Sequence, residues 1–149
     1  MDPKRFAFIS GLIFLLMGVS SLIFPGAIDP LPTLKIETSY GLFLGIFPMN
    51  IFNKIALVIF GIGGLRAASD KFASLPLSIF YSRAIFFVMG TAAILGLIPQ
   101  TNTFFGYWPL FGNEVYAHGF FAILGAYFGY ALKAKLNTNE KNFNKSAHV

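Results

Sequence analysis

At 149 residues, of which 56% are hydrophobic and 11% charged, the chain is too apolar for an ordinary soluble domain, where about a quarter of residues are charged. Its net charge of +5 comes from basic residues in short runs between apolar segments, the pattern of membrane topology rather than of a nucleic-acid surface. With no cysteine, disulfides, thiolate metal sites and thiol catalysis are excluded, and the redox compartment is not readable from this side.

Phe6 to Phe24 is an uncharged run opened by Lys4 and Arg5 and closed by Pro25, long enough for a membrane span, which takes about 20 residues. A removable leader shares that pattern. However, Ile13 to Gly18 recurs as Ile85 to Gly90, so the segment is expected to stay as helix one. Gly26 to Ser39, rich in proline and charge, reads as an exposed loop. Residues 40–48 are apolar but end in Pro48, which breaks a helix, and are expected to lie at the interface or fold back on the bundle. Helix two is expected over 49–68, capped by Asn50 or Asn53. A polar turn around Arg66, Asp70 and Lys71 leads to helix three at 79–98, with Arg83 near its start able to reach the headgroups. After a polar-to-aromatic loop, helix four follows at 110–132. Residues 137–149 form a polar tail expected to be disordered.

The chain repeats itself. A shift of 61 residues lays Gly45, Pro48, Ala56, Phe60, Ile62 and Gly64 on Gly106, Pro109, Ala117, Phe121, Ile123 and Gly125 without a gap, with Phe47 opposite Trp108. The expected fold is all-α, a four-transmembrane-helix bundle of two tandem helix hairpins. Nine of the eleven Lys and Arg residues lie in the amino terminus, the middle turn and the tail, so both termini are expected on the cytoplasmic side. Each copy then has the same orientation, a parallel repeat about an axis along the membrane normal. The two prolines and the starts of helices two and four meet near the outer face.

Away from the basic residues at the span ends, the ionisable candidates within the membrane are Lys54, Glu114 and His118. An ionisable group at membrane depth is costly unless paired and is a functional candidate by default. Glu114 follows the expected cap Asn113, where the helix dipole favours a carboxylate by about 0.3–1 kcal/mol. Lys54 sits at a helix start that disfavours a cation, so an ion pair between Lys54 and Glu114 across the repeat interface, or snorkelling to the membrane surface, is expected, with a proton or ion pathway as the rarer alternative. For His118, a hydrogen bond to a neighbouring helix is the commoner role, and axial ligation of haem or chlorophyll the sharper one. Its repeat partner is Leu57, which excludes a symmetric two-histidine site within one chain. Gly61, Gly64, Ala122, Gly125 and Gly129 supply small-residue spacings for close helix packing. Phe47, Tyr107 and Trp108 suit an interfacial aromatic belt. Neither a phosphate-binding loop, a paired-histidine metal spacing, a serine nucleophile elbow nor paired catalytic carboxylates occur.

The repeated element, Gly-x-Phe-Pro-Met-Asn at Gly45 to Asn50 and its counterpart at Gly106 to Asn113, resembles the bacterial membrane family called domain of unknown function 4383. So does a histidine a few residues into the fourth helix. The resemblance covers nearly all of Phe6 to Tyr130. It implies a four-helix integral membrane protein and adds no catalytic residue. A histidine in the second helix belongs to the family's pattern, and here that place is Leu57.

Three functions follow as expectations: a non-enzymatic structural or accessory subunit of a membrane complex, or a self-associating bundle; a haem- or chlorophyll-binding protein using His118; and a small transporter using Lys54, Glu114 and His118. The expected partners are the lipid bilayer and other membrane subunits or a second copy, in a plasma or thylakoid membrane, and not nucleic acid.

Overall fold

The computed structural model describes residues 1–24, 26 and 34–131. The expectations for residues 27–33 of the 26–39 loop and for the tail lie outside these residues.

Helix α1 runs Pro3–Ile23. It begins three residues before the apolar run because Asp2 caps it, accepting the Arg5 backbone N–H at 2.8 Å, and because Pro3 at the first helical position lacks an N–H that would go unbonded there anyway. The 40–48 segment, expected to lie at the interface or fold back, forms a hairpin together with Met49, the residue expected to open helix two. Strand β1 (Gly41–Phe43) pairs antiparallel with β2 (Phe47–Met49), Leu42 opposite Pro48. Leu44 and Gly45 turn it, both at positive φ (55° and 74°), the geometry that matches strand twist and that glycine adopts freely. Proline is tolerated because the ladder has only two strands, both of them edges.

Helix α2 runs Ile51–Ser69, capped by Asn50 in a reciprocal box with Asn53. Asn50 Oδ1 accepts from Phe52 N at 3.0 Å, and Asn53 Oδ1 accepts from Asn50 N at 3.2 Å. Asp70 closes the next turn, accepting the backbone N–H groups of Phe72 and Ala73 at 2.9 and 2.7 Å. Helix α3, Ser74–Leu97, starts five residues before the expected 79, because Pro76 falls in its first turn, where a missing N–H breaks no bond. Helix α4 starts at Asn113 and not at 110, since the Leu110 N–H is held in the loop by Asn102 O at 2.8 Å. It runs to Ala126 and continues as a π-helical turn, Tyr127–Ala131. Arg83 meets that turn: its Nε donates to Gly129 O at 3.0 Å and its guanidinium lies 4.6 Å from the Tyr130 ring centre.

Helix α1 packs chiefly on α2, and α3 chiefly on α4. Their backbones come close enough that a Cβ on Gly61 would run into the Leu15 main chain, and one on Gly125 would lie 2.7 Å from Phe86 N and Ser82 O. The core holds Phe6, Phe14, Ala67, Tyr81, Ile85, Met89, Ala122 and Phe128. Buried Ser10 and Ser82 spend their hydroxyls on carbonyls one turn back, Phe6 O at 2.6 Å and Ser78 O at 2.7 Å, so neither polar group is orphaned.

The outside is as apolar as the inside: Leu16, Ile59, Phe80, Ile94 and Ile123 are all well exposed. Helices α1, α2 and α3, of 21, 19 and 24 residues with mean hydropathy 2.3, 1.5 and 1.6, are each long and apolar enough to cross a membrane. Regular α-helix in α4 extends over only 14 residues.

Candidate functional site

At one end of the bundle, four amide and amine side chains stitch loops to helix starts. Asn50 Nδ2 donates to Ile36 O (3.1 Å) and Tyr107 O (2.8 Å), and Asn53 Nδ2 to Pro109 O (3.1 Å). Asn113 Nδ2 donates to Ile46 O (3.2 Å). Asn113 is therefore not the cap expected of it. Gly112, at φ 65°, occupies that position and supplies no side chain. Pro48 lies in β2, and its ring approaches Gly112.

Lys54 and Glu114 do not form the expected ion pair. Lys54, only 1% exposed, donates from Nζ to Ser39 O at 2.7 Å and Ser39 Oγ at 2.9 Å. The reason is directional. Helix side chains lean toward the amino terminus, and from the first turn of α2 the long lysine stem reaches back past the helix end to the loop above.

Glu114 turns instead to its own helix. Its Oε2 lies 3.3 Å from His118 Nε2, one turn on. The interhelical hydrogen bond expected of His118 is also absent among the described residues: Glu114 Oε1 and His118 Nδ1 are both buried without a partner, as is Trp108 Nε1. Buried polar atoms are almost always bonded, so three orphans within one region mark it.

Glu114 and His118 stand between two spaces. A cleft of about 200 Å³, walled by α2 and α3 and closed by Phe104 and Trp108, lies on one side. A chamber of about 40 Å³ beside Phe14, Met17 and Phe121 lies on the other. Leu57 and Met89 border both, so the residue at the repeat position of His118 faces the same spaces. A porphyrin or chlorin ring does not fit in the cleft, which is smaller than the about 300–1,000 Å³ of drug-sized ligand sites. Further along the bundle, Phe14 meets Phe121 edge-on at 4.5 Å and Phe6 stacks on Phe128 at 4.8 Å, filling the way toward the other end.

Gly61, Gly64 and Gly125 are buried against neighbouring backbone or Tyr81, Gly129 against Arg83, and Ala122 in the core. All are packing positions. The reading of Trp108 as a membrane anchor missed its place on the cleft wall. Ser39, the partner of Lys54, carries no signal in the sequence, because half of what it offers is a backbone carbonyl.

Three helices of spanning length and composition around a small buried polar site are the pattern of a membrane protein. Over residues 4–131 the chain matches the family described as domain of unknown function (DUF4383), and it belongs to that family. No curated protein and no solved structure matches it.

Proposed function

We propose that this chain is a non-enzymatic, multi-pass membrane protein that takes a small, uncharged molecule from the bilayer into the Glu114–His118 cleft. The observation that carries the reading is the cluster of buried, unpartnered polar atoms, Glu114 Oε1, His118 Nδ1 and Trp108 Nε1, in residues lining one largely apolar cleft. That combination is what a membrane-embedded ligand site requires.

In this reading the four helices are two hairpins, α1–α2 and α3–α4, related as parallel repeats, with both termini on the cytoplasmic side. The stitching bonds support it. Asn50 binds Tyr107 O and Asn113 binds Ile46 O, and Ile46 and Tyr107 are equivalent positions under the 61-residue shift. The protein works as an accessory subunit of a larger membrane complex or as a self-associating bundle, its exposed apolar faces meeting lipid, another subunit or a second copy.

Mild-detergent purification from the native membrane, a native gel, and mass spectrometry of small molecules extracted from the band test the reading. The expected result is one uncharged organic molecule per chain, lost in Glu114→Leu. An extract empty of such molecules, from protein that still runs as a defined species, overturns it.

A further inference from the structure

Resting on that reading, we infer that the cleft is a site for a lipid-soluble phenol or quinol, an apolar ring carrying a hydroxyl group. The walls set the body of the ligand. Phe60, Phe104 and Trp108 present aromatic surface, and Ala92 and Leu95 present aliphatic surface, a lining that favours a flat apolar ring. About 200 Å³ admits one substituted ring and leaves any tail outside.

The polar atoms set the head. A carboxylate oxygen and an imidazole nitrogen at 3.3 Å attract only with a proton between them. Whether that proton belongs to the imidazole or to the carboxyl, Glu114 Oε1 is an acceptor and Trp108 Nε1–H is a donor, while His118 Nδ1 is an acceptor in the first case and a donor in the second. A hydroxyl both donates and accepts through one atom, so it answers both kinds of orphan. A ketone or quinone carbonyl has no donor and leaves Glu114 Oε1 unbonded. A carboxylic acid sets a second carboxyl against Glu114, and an ammonium answers the acceptors while leaving the indole N–H unbonded. The neighbouring chamber of about 40 Å³ has room for a water, but the larger, mostly apolar cleft requires a ligand that is mostly carbon.

The entrance agrees with a ligand dissolved in lipid. The cleft runs between α2 and α3, and Val88 and Phe104 on its border are 44% and 42% exposed, so a molecule moving in the bilayer enters sideways without crossing the headgroups.

The test uses the full chain in lipid nanodiscs and three probes of nearly one shape at equal mole fraction in the bilayer: 4-butylphenol, 4-butylanisole and butylbenzene. Trp108 is the chain's single tryptophan, so its emission reads the site directly. The phenol is expected to bind about tenfold or more tighter than the anisole, which leaves Glu114 Oε1 unbonded. In Glu114→Leu, which removes the acceptor, the preference is expected to shrink to within about threefold. Equal binding of all three probes overturns the hydroxyl assignment and leaves the apolar cleft standing. No response to any probe overturns the ligand-site reading itself. If Glu114→Leu fails to fold, the probe series on the unaltered chain still decides.

Discussion

Asn50 donates its side-chain amide to the carbonyl of Tyr107 at 2.8 Å, across 57 residues of chain. The same side chain caps α2 through Phe52 N and holds Ile36 O. Asn50→Ala removes a helix cap and leaves two loop carbonyls without a donor at a fully buried position. The expected loss is about 2–4 kcal/mol, read as thermal unfolding in detergent. Asn50→Asp keeps the cap acceptor but not the donor, and is expected to fall between the two. An alanine variant as stable as the parent would show that the stitching is incidental.

Lys54 and Glu114 are each buried, yet each finds its partner locally and not in the other, Lys54 in Ser39 and Glu114 in His118. A double-mutant cycle with Lys54→Met and Glu114→Gln is therefore expected to be additive within about 0.5 kcal/mol, the behaviour of residues that share no partner. A coupling of 2 kcal/mol or so would restore the ion pair.

The contrast between these two relationships shows what the sequence discloses and what it withholds. Helix existence is legible because each helix is a long uncharged run, and helix starts are misplaced where a cap or a tolerated proline, at Asp2 and Pro76, shifts them. The hairpin at 41–49 is not legible: an apolar stretch interrupted by Gly45 and Pro48 has no alternation to announce strands. Glu114 and His118 stand out as ionisable residues in an apolar field, which is why they are identifiable. Their pairing is a matter of one helical turn and was open to sequence reading at i,i+4 spacing. The partner of Lys54 is not legible, because the shorter of its two bonds to Ser39 goes to a main-chain oxygen that no residue type reveals.

Helix packing gives a sharper test than the small-residue spacings alone. Gly125 lies where a Cβ would sit 2.7 Å from α3 backbone, whereas one on Gly119 would meet nothing within 4 Å. Gly125→Val is expected to destabilise by about 3 kcal/mol through overpacking against rigid main chain. Gly119→Ala is expected to stabilise by about 0.5–1 kcal/mol, since alanine restricts the unfolded chain. Equal effects at the two sites would contradict the α3–α4 contact.

Asp70 offers a pH-dependent test outside the spans. The Ala73 backbone N–H, then that of Phe72, hold its carboxyl below the usual carboxylate range, with Arg66 adding a smaller pull. A group with a lowered folded value stabilises fully above its unfolded value, about 4, and loses that contribution as pH falls through the folded value. Stability is thus expected to be flat with respect to Asp70 from pH 5 upward and to decline only below about 4. Asp70→Asn should remove that part of the acid decline. A change in the variant's pH profile near neutrality would show that another group was responsible.

Orientation is the last point that one experiment can fix. The chain has no cysteine, so single cysteines can be placed without removing any. Phe72 is 99% exposed in the turn between α2 and α3, and Phe105 is 65% exposed in the loop before α4. If nine of eleven basic residues mark the cytoplasmic side, Phe72→Cys is expected to react with a membrane-impermeant maleimide only after the cells are opened, and Phe105→Cys in intact cells. The reverse pattern would invert the topology, turning the outer stitching inward while leaving the cleft reachable from the bilayer. Reaction of both from one side would mean that α3 does not cross, and the parallel-repeat arrangement would fall with it.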